Sequence, residues 1–262
     1  MFIIGERING MFRSVAKAIT ERDEAFIRDL ARRQVEAGAH ALDVNTGPTE
    51  GDPADVMRWL VETIQAEVDV PLALDTPKIP VIEAGLRAVK RPAIINSTTG
   101  AQAKLATLLP LAAQYDASLI GLTIDERGIP RNAEARSEIA LTIVAAALEA
   151  GISPDRLYLD PIVLPVSAAQ DQSAAALQAI PTFKALCDPA PKIVVGLSNV
   201  SQGTPNRPLV NRTYLVMAMA AGLDGAILDP FDVELMAAMR TAGILLNQEI
   251  YAENYLGTAP GA

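Results

Sequence analysis

Eight short apolar runs recur along this chain at helix-length intervals, and most of them end on an aspartate or an asparagine. LALD closes on Asp75, AIIN on Asn96, LYLD on Asp160 and VVGLSN on Asn199, while ALDVN carries Asp43 and Asn45. Short apolar runs separated by helical segments are the pattern of parallel strands buried on both faces. Polar groups at the C-terminal ends of such strands stand where α/β folds bind ligands, so the chemistry is expected there.

The runs predict strands over Phe2–Glu6, Ala41–Asn45, Leu72–Asp75, Ala93–Asn96, Ser118–Ile124, Leu157–Asp160, Lys192–Leu197 and Gly225–Asp229. Between them EAFIRDLARRQVEAG, ADVMRWLVETIQAEV and SEIALTIVAAALEAG place apolar residues at three- and four-residue spacing, the period of a helix with one buried face. Two of these segments finish on Gly38 and Gly151, as helix C-termini commonly do. Eight such units on 262 residues predict a single α/β domain, a (β/α)8 TIM barrel over residues 1–256, with residues 257–262 as a disordered tail. An open doubly wound sheet would carry a Gly-rich dinucleotide loop after an early strand, and the sequence has none.

Several function classes drop out. No stretch of about 18 apolar residues offers a membrane span, and no basic, apolar leader precedes FIIGE. A net charge of −9 without clustered Lys and Arg disfavours nucleic acid. The single cysteine, Cys187, has no disulfide partner and no metal-spaced neighbour, which fits a reducing cytoplasm and a small packed side chain. His40 precedes its strand, on the face away from the mouth, and no metal site is expected. Lysine is absent from the C-terminal strand ends, which removes the Schiff-base chemistry common on barrels.

Ionised aspartates accept hydrogen bonds, whereas an asparagine donates and accepts. Asp75, Asn96 and Asp160 together therefore suit a flat ligand rich in N–H groups, and a 2-amino-4-oxo pyrimidine edge, shared by pterins and guanine, meets that requirement. Each of these residues could instead cap a following helix. Neither Asp75, before TPKIP, nor Asp160, before PIVLPV, opens a capping box, but for Asn96 a cap through Ser97 or Thr98 is equally open. Arg207 could clamp an anionic or carbonyl group or form a surface ion pair. Glu6 and Arg7 are read as a pair bracing the barrel or as ligand contacts.

GERING, LDVNTGP, LALDT, INST, GLTIDERGIP, YLDPIVLPV and GLSNVSQGTPNRPLVNRTYL occur in this order across nearly the whole chain. Together they closely resemble the methyltetrahydrofolate:corrinoid/iron-sulfur protein methyltransferases, within the pterin-binding group that includes dihydropteroate synthase and the folate module of methionine synthase. The resemblance implies a pterin held by Asp75, Asn96 and Asp160, with Asn199 near the methyl-bearing N5, and Gly196, Gln202 and Arg207 near the folate. It also implies a substrate, 5-methyltetrahydrofolate, a cob(I)alamin acceptor on a separate corrinoid or corrinoid/iron-sulfur protein, and a homodimer. Dihydropteroate synthases carry a lysine near the seventh strand and Arg-x-His at the eighth, where this chain has LSNVS and AILDP.

Breaking the N5–methyl bond requires positive charge to develop on nitrogen, so a hydrogen bond or proton there favours the transition state. Asn199 is the expected donor, with the proton arriving through water near Asp75 or Asp160. These three residues form the expected catalytic set. The expected direction is folate to corrinoid. The reverse direction, and a folate-binding module without catalysis, are the alternatives.

Overall fold

In the computed structural model, which describes residues 1–49 and 51–251, the chain closes into one barrel with strands in sequence order. The strands are β1 (Phe2–Asn9), β2 (Ala41–Asn45), β3 (Leu72–Asp75), β4 (Ile94–Thr99), β5 (Ser118–Leu122), β6 (Leu157–Asp160), β7 (Lys192–Gly196) and β8 (Gly225–Leu228), each parallel to its neighbours. The helices outside them are α1 (Arg13–Glu21), α2 (Glu24–Glu36), α3 (Pro53–Gln65), α4 (Ile79–Ala88), α5 (Gln102–Gln114), α6 (Ala133–Glu149), α7 (Val166–Lys184), α8 (Arg207–Ala221) and α9 (Val233–Leu245). The tail expected at 257–262 lies outside the described residues.

The predicted strands are all present, β2, β3 and β6 with the predicted bounds and the other five with shifted ends. β1 runs on to Asn9 through a register shift between Gly5 and Ile8. The buried Gln34 of α2 accepts from Arg7 N at 2.9 Å there, and a Cβ on Gly5 would sit 2.5 Å from the same Gln34 oxygen. β5 stops at Leu122 because Thr123 turns onto β6, donating through both N and Oγ1 to Asp160 O at 3.0 Å. Helix starts follow local chemistry: Asp23, Asp52, Asn132, Asn206 and Asp232 each accept a backbone N–H of the first turn. Gly38 and Gly151 lie just beyond α2 and α6 with φ +107 and +77, conformations that a Cβ disfavours.

Two apolar layers result. The outer one joins strands to helices and holds fully buried residues such as Leu42, Leu60, Ile143 and Phe183, each contributing roughly 1.5–3 kcal/mol by burial. The inner one fills the lumen with Ile4, Ala41, Ala73, Ile94, Ile120, Tyr158 and Val194. His40 sits at the lower end of this layer, accepting from Ile3 N at 3.1 Å and facing the Phe2 ring at 5.7 Å.

The lumen layer aims the mouth. Strand side chains alternate faces, so the residue two positions beyond each lumen residue also points inward: Glu6 above Ile4, Asp43 above Ala41, Asp75 above Ala73, Asn96 above Ile94, Asp160 above Tyr158 and Gly196 above Val194.

Candidate active site

On the β2–β4 side the polar residues are bonded to one another. Asn96 Nδ2 donates to Asp43 Oδ1 at 2.9 Å, and Asn45 Nδ2 donates to Asp75 Oδ2 at 2.7 Å. Asn45 Oδ1 in turn accepts from Gly47 N at 2.7 Å. Gly47, at φ +63, packs on Gly10 so closely that a Cβ would fall 2.5 Å from the Gly10 carbonyl carbon, and this contact locks the β1 and β2 loops together. Asn96 is therefore no helix cap: its amide is committed inside the mouth.

Asp43 and Asp75 stand close enough for each to act on the other's ionisation, and two buried carboxyls so placed do not readily both carry charge. Burial pushes the Asp43 carboxyl well above the usual range, the Asp75 charge pushes it further, the Asn96 N–H opposes, and Glu6 adds to the rise. Asp75 is also raised by burial, against the hydrogen bonds from Asn45 and Asp43. Asp43, 3% exposed, is the end that keeps the proton, and Asp75 is the acceptor. Asp75 is thus half of a pair, and Asp43 is a site residue that reading strand-final positions alone leaves out.

Across the lumen, burial lifts Asp160 to about 6, opposed by N–H groups of Ile162 and Gly196 and by the Arg136 charge. Ile162 N donates to Asp160 Oδ1 at 2.7 Å, a local turn that the absence of a capping box did not announce. To make it Ile162 adopts φ +63, costly for a β-branched residue and of the kind found where a site over-determines the backbone. Arg136 of α6 is fully buried; its Nη2 donates to Gln172 Oε1 at 3.2 Å, and its charge bears on Asp160. The sequence carried that signal, because Arg136 lies on the same helical stripe as Ile139, Ala140 and Ile143.

The β7–β1–β8 side is open. Beyond Gly196, Leu197–Asn199 form one short 3-10 turn, and a cavity of about 490 Å³ lies between this turn and the ends of β1 and β8, lined by Glu6, Phe12, Asn199, Gln202, Arg207 and Asp229 among others. A Cβ on Gly196 would sit 2.9 Å from Asn199 Nδ2, so glycine there leaves room for the amide. Ser198 Oγ donates to Glu6 Oε1 at 2.6 Å.

Two expectations on this side are corrected. Glu6 and Arg7 do not pair. Arg7 lines the same cavity as Glu6 but bonds Asp229 Oδ2 at 3.1 Å, joining β1 to the end of β8, at the point where the β1 register shifts. Among the described residues Arg207 makes no ion pair: its Nε donates to Ser201 Oγ and its Nη2 to Ser198 O, both at 3.0 Å, so it braces the Asn199 turn from the first turn of α8. Gln202 N donates to Asn199 O at 3.2 Å. Asn199, Gln202 and Arg207 are together in one cavity, while Asp75, Asn96 and Asp160 share the lumen rim. Cys187 is half-buried beyond α7, away from both. Among the described residues, no cluster of His, Cys, Asp and Glu is placed to hold a metal, and no helix is long and apolar enough to cross a membrane.

Comparison with known proteins adds four findings. A family model described as pterin binding enzyme matches residues 6–229, from Glu6 to Asp229. The methylcorrinoid:tetrahydrofolate methyltransferase of Eubacterium limosum is 34% identical over 257 residues, covering 97% of this chain and 94% of that protein. The methionine synthase of Mycobacterium leprae is 29% identical over 241 residues, covering 87% of this chain and 20% of its own length. Among solved structures, a Yersinia pestis dihydropteroate synthase with a pterine-sulfa conjugate superposes with TM-score 0.68 at 19% identity, covering 95% of this chain and 94% of that one; this is a likeness of fold.

Proposed function

The chain belongs to the pterin-binding enzyme family, and from that premise we propose that it is a methyltransferase, moving a methyl group between N5 of a reduced folate and the cobalt of a corrinoid carried by a separate protein. The observation that carries this reading is the division of the mouth: an inward acceptor and amide set on the rim, and beside it an open cavity with the Asn199 amide.

The residues suit the ligand chemically. Asp160, with Oδ1 accepting from Ile162 N, keeps lone pairs for an amino-pyrimidine edge, and Asp75 accepts while Asp43 holds the proton of the pair. Asn96 adds a carbonyl acceptor. Asn199, free of Gly196 by the lack of a Cβ, is the amide that hydrogen-bonds N5 as its charge develops; a preorganised donor of this kind contributes about 2.7–4 kcal/mol to a rate. Gln202 and Arg207 keep the turn that carries it. The bound corrinoid supplies the nucleophilic or methylated metal, and the protein's part is to bind, orient and protonate the folate.

Catalysts accelerate both directions. Transfer from 5-methyltetrahydrofolate to cob(I)alamin is the first reading, and the name of the Eubacterium limosum relative, which puts methylcorrinoid first, favours the reverse as the second. The same reading takes the protein as a cytoplasmic homodimer, supported by the lone thiol and by an apolar groove between α7 and α8 near the exposed Leu209 and Met217. The test is a cob(I)alamin absorbance assay with 5-methyltetrahydrofolate, run also from methylcobalamin with tetrahydrofolate. Tight folate binding with no transfer either way, even with corrinoid proteins supplied, would leave a binding module instead.

A further inference from the structure

Methyl transfer from N5 has a proton balance that the Asn199 amide cannot close. The methyl leaves with the C–N bonding pair staying on nitrogen, the corrinoid supplies the pair for the new bond to carbon, and N5 ends with one added proton. One proton is consumed per methyl moved to the corrinoid, and one is released in the opposite direction. Asn199 has none to give.

Resting on the methyl-transfer reading, we propose that Glu6 is the carboxylic acid that gives this proton to N5 as the methyl leaves, and accepts it when transfer runs the other way. Alternation along β1 aims Glu6 into the lumen above Ile4, and its carboxyl lines the cavity that Asn199 lines. Ser198, the residue before Asn199, donates to Glu6 Oε1 at 2.6 Å, tying the acid to the turn that carries the amide. Arg7, the obvious neutralising partner, is engaged with Asp229 instead.

The surroundings hold the proton on Glu6 at pH values where an ordinary glutamate has lost it. Burial raises its pKa first, the Ser198 hydrogen bond lowers it, Asp229 raises it, and Arg7 and Arg207 lower it, with a net rise. Asp43 lies on the other flank, near enough for Glu6 to raise its pKa, and beyond it Asp75 raises it further. A row of acids on β1, β2 and β3 thus leads from the rim to the Asn199 cavity. After donation Glu6 is a carboxylate beside Ser198, Arg7 and Arg207, and solvent in the open cavity reprotonates it.

A rival role is purely mechanical: Glu6 as a hook for Ser198. Two variants separate the roles. Glu6→Gln keeps an oxygen to accept from Ser198 and removes the acid; Ser198→Ala removes the hook and keeps the acid. Proton donation predicts that Glu6→Gln slows single-turnover transfer about 10²–10⁴-fold, the range of general-acid catalysis. It also predicts that this variant abolishes the solvent deuterium effect and the alkaline fall of the rate, with folate affinity by calorimetry within threefold of wild type. Ser198→Ala would then slow transfer far less and keep the pH profile. An infrared difference spectrum between wild type and Glu6→Gln, without corrinoid, should show a protonated-carboxyl band that titrates above the ordinary glutamate range. A Glu6→Gln enzyme as fast as wild type, or one whose slow rate keeps the wild-type pH profile and isotope effect, overturns the proposal and leaves the methyl-transfer reading standing. Wild-type protein that transfers no methyl in either direction takes both down.

Discussion

On the β2–β4 side of the mouth the polar side chains are bonded to one another, and on the β7–β1 side they line open space. Asp43, Asn45, Asp75 and Asn96 form a closed set, two amides each donating to a carboxyl, tied to a backbone locked by Gly10 and Gly47. Asn199 and Glu6 come instead from a single 3-10 turn and a strand end, held by Ser198, Ser201 and Arg207. A closed set is preorganised and suits recognition of a fixed edge. An open one can change its hydrogen bonds during a reaction and admit a bulky second substrate. On the proposed methyl-transfer reading, binding falls to one half of the rim and chemistry to the other, and substitutions on each side should separate accordingly.

The sharpest separation comes from Asn199→Ala. Removing one preorganised donor should lower single-turnover methyl transfer about 10²–10³-fold, while folate affinity by calorimetry changes little. Equal loss in both would erase the distinction between the halves.

Asp160 tests the β6 wall by stability. Its folded pKa of about 6 lies above its ordinary 3.8, so the folded state holds this proton more tightly than the unfolded chain. Its contribution is fully present below 3.8 and is lost as pH rises through about 6, amounting to about 3 kcal/mol for a group this buried. Asp160→Asn cannot titrate, so urea melts across that window should show wild type losing stability relative to the variant as pH rises. Parallel curves would mean that Asp160 ionises freely.

Asp75→Ala should act on binding. A charge-assisted hydrogen bond is worth about 1.5–3 kcal/mol, so folate affinity should fall roughly ten- to hundredfold, with transfer at saturating folate reduced less. If affinity stays at the wild-type level, the β2–β4 cluster is structural only.

How much of this was legible follows from what each feature depends on. The barrel follows from local patterns, because strand runs and helix periods repeat along the chain, and Asp75, Asn96 and Asp160 stand at strand ends visible in sequence. Asp43 was visible too, two residues before Asn45 on the same face, but its partnership with Asp75 depends on the β2–β3 register, in which Asp43 sits opposite Ala73. No spacing encodes that. The Arg7–Asp229 bond spans 222 residues and exists because the barrel closes. Glu6 beside Arg7 reads as an ion pair along the chain, and barrel closure gives each another partner, Ser198 for Glu6 and Asp229 for Arg7. Arg136 could have been found, as a cation on an apolar helical stripe. The turn at Ile162 could not, because nothing in PIVLP announces a β-branched residue at positive φ.

The smallest expected effect is also the most local test of the open half. A Cβ at Gly196 would lie 2.9 Å from Asn199 Nδ2 and meets no other atom at less than 3.8 Å. Gly196→Ala therefore displaces the amide by a few tenths of an ångström. Its backbone, at φ −76, is one that alanine adopts freely, so stability should hold. Misplacement of a reacting group by about 1 Å can cost 10²-fold, and this smaller shift should cost about tenfold in single-turnover transfer. Folate affinity should be unchanged, because the bonded set on β2–β4 is untouched. Combining Gly196→Ala with Asn199→Ala decides the cause: if the glycine acts only through the amide, the double variant is no slower than Asn199→Ala alone. A further tenfold loss would mean that Gly196 works on the β7 backbone toward Asp160, and the two halves of the mouth would be coupled.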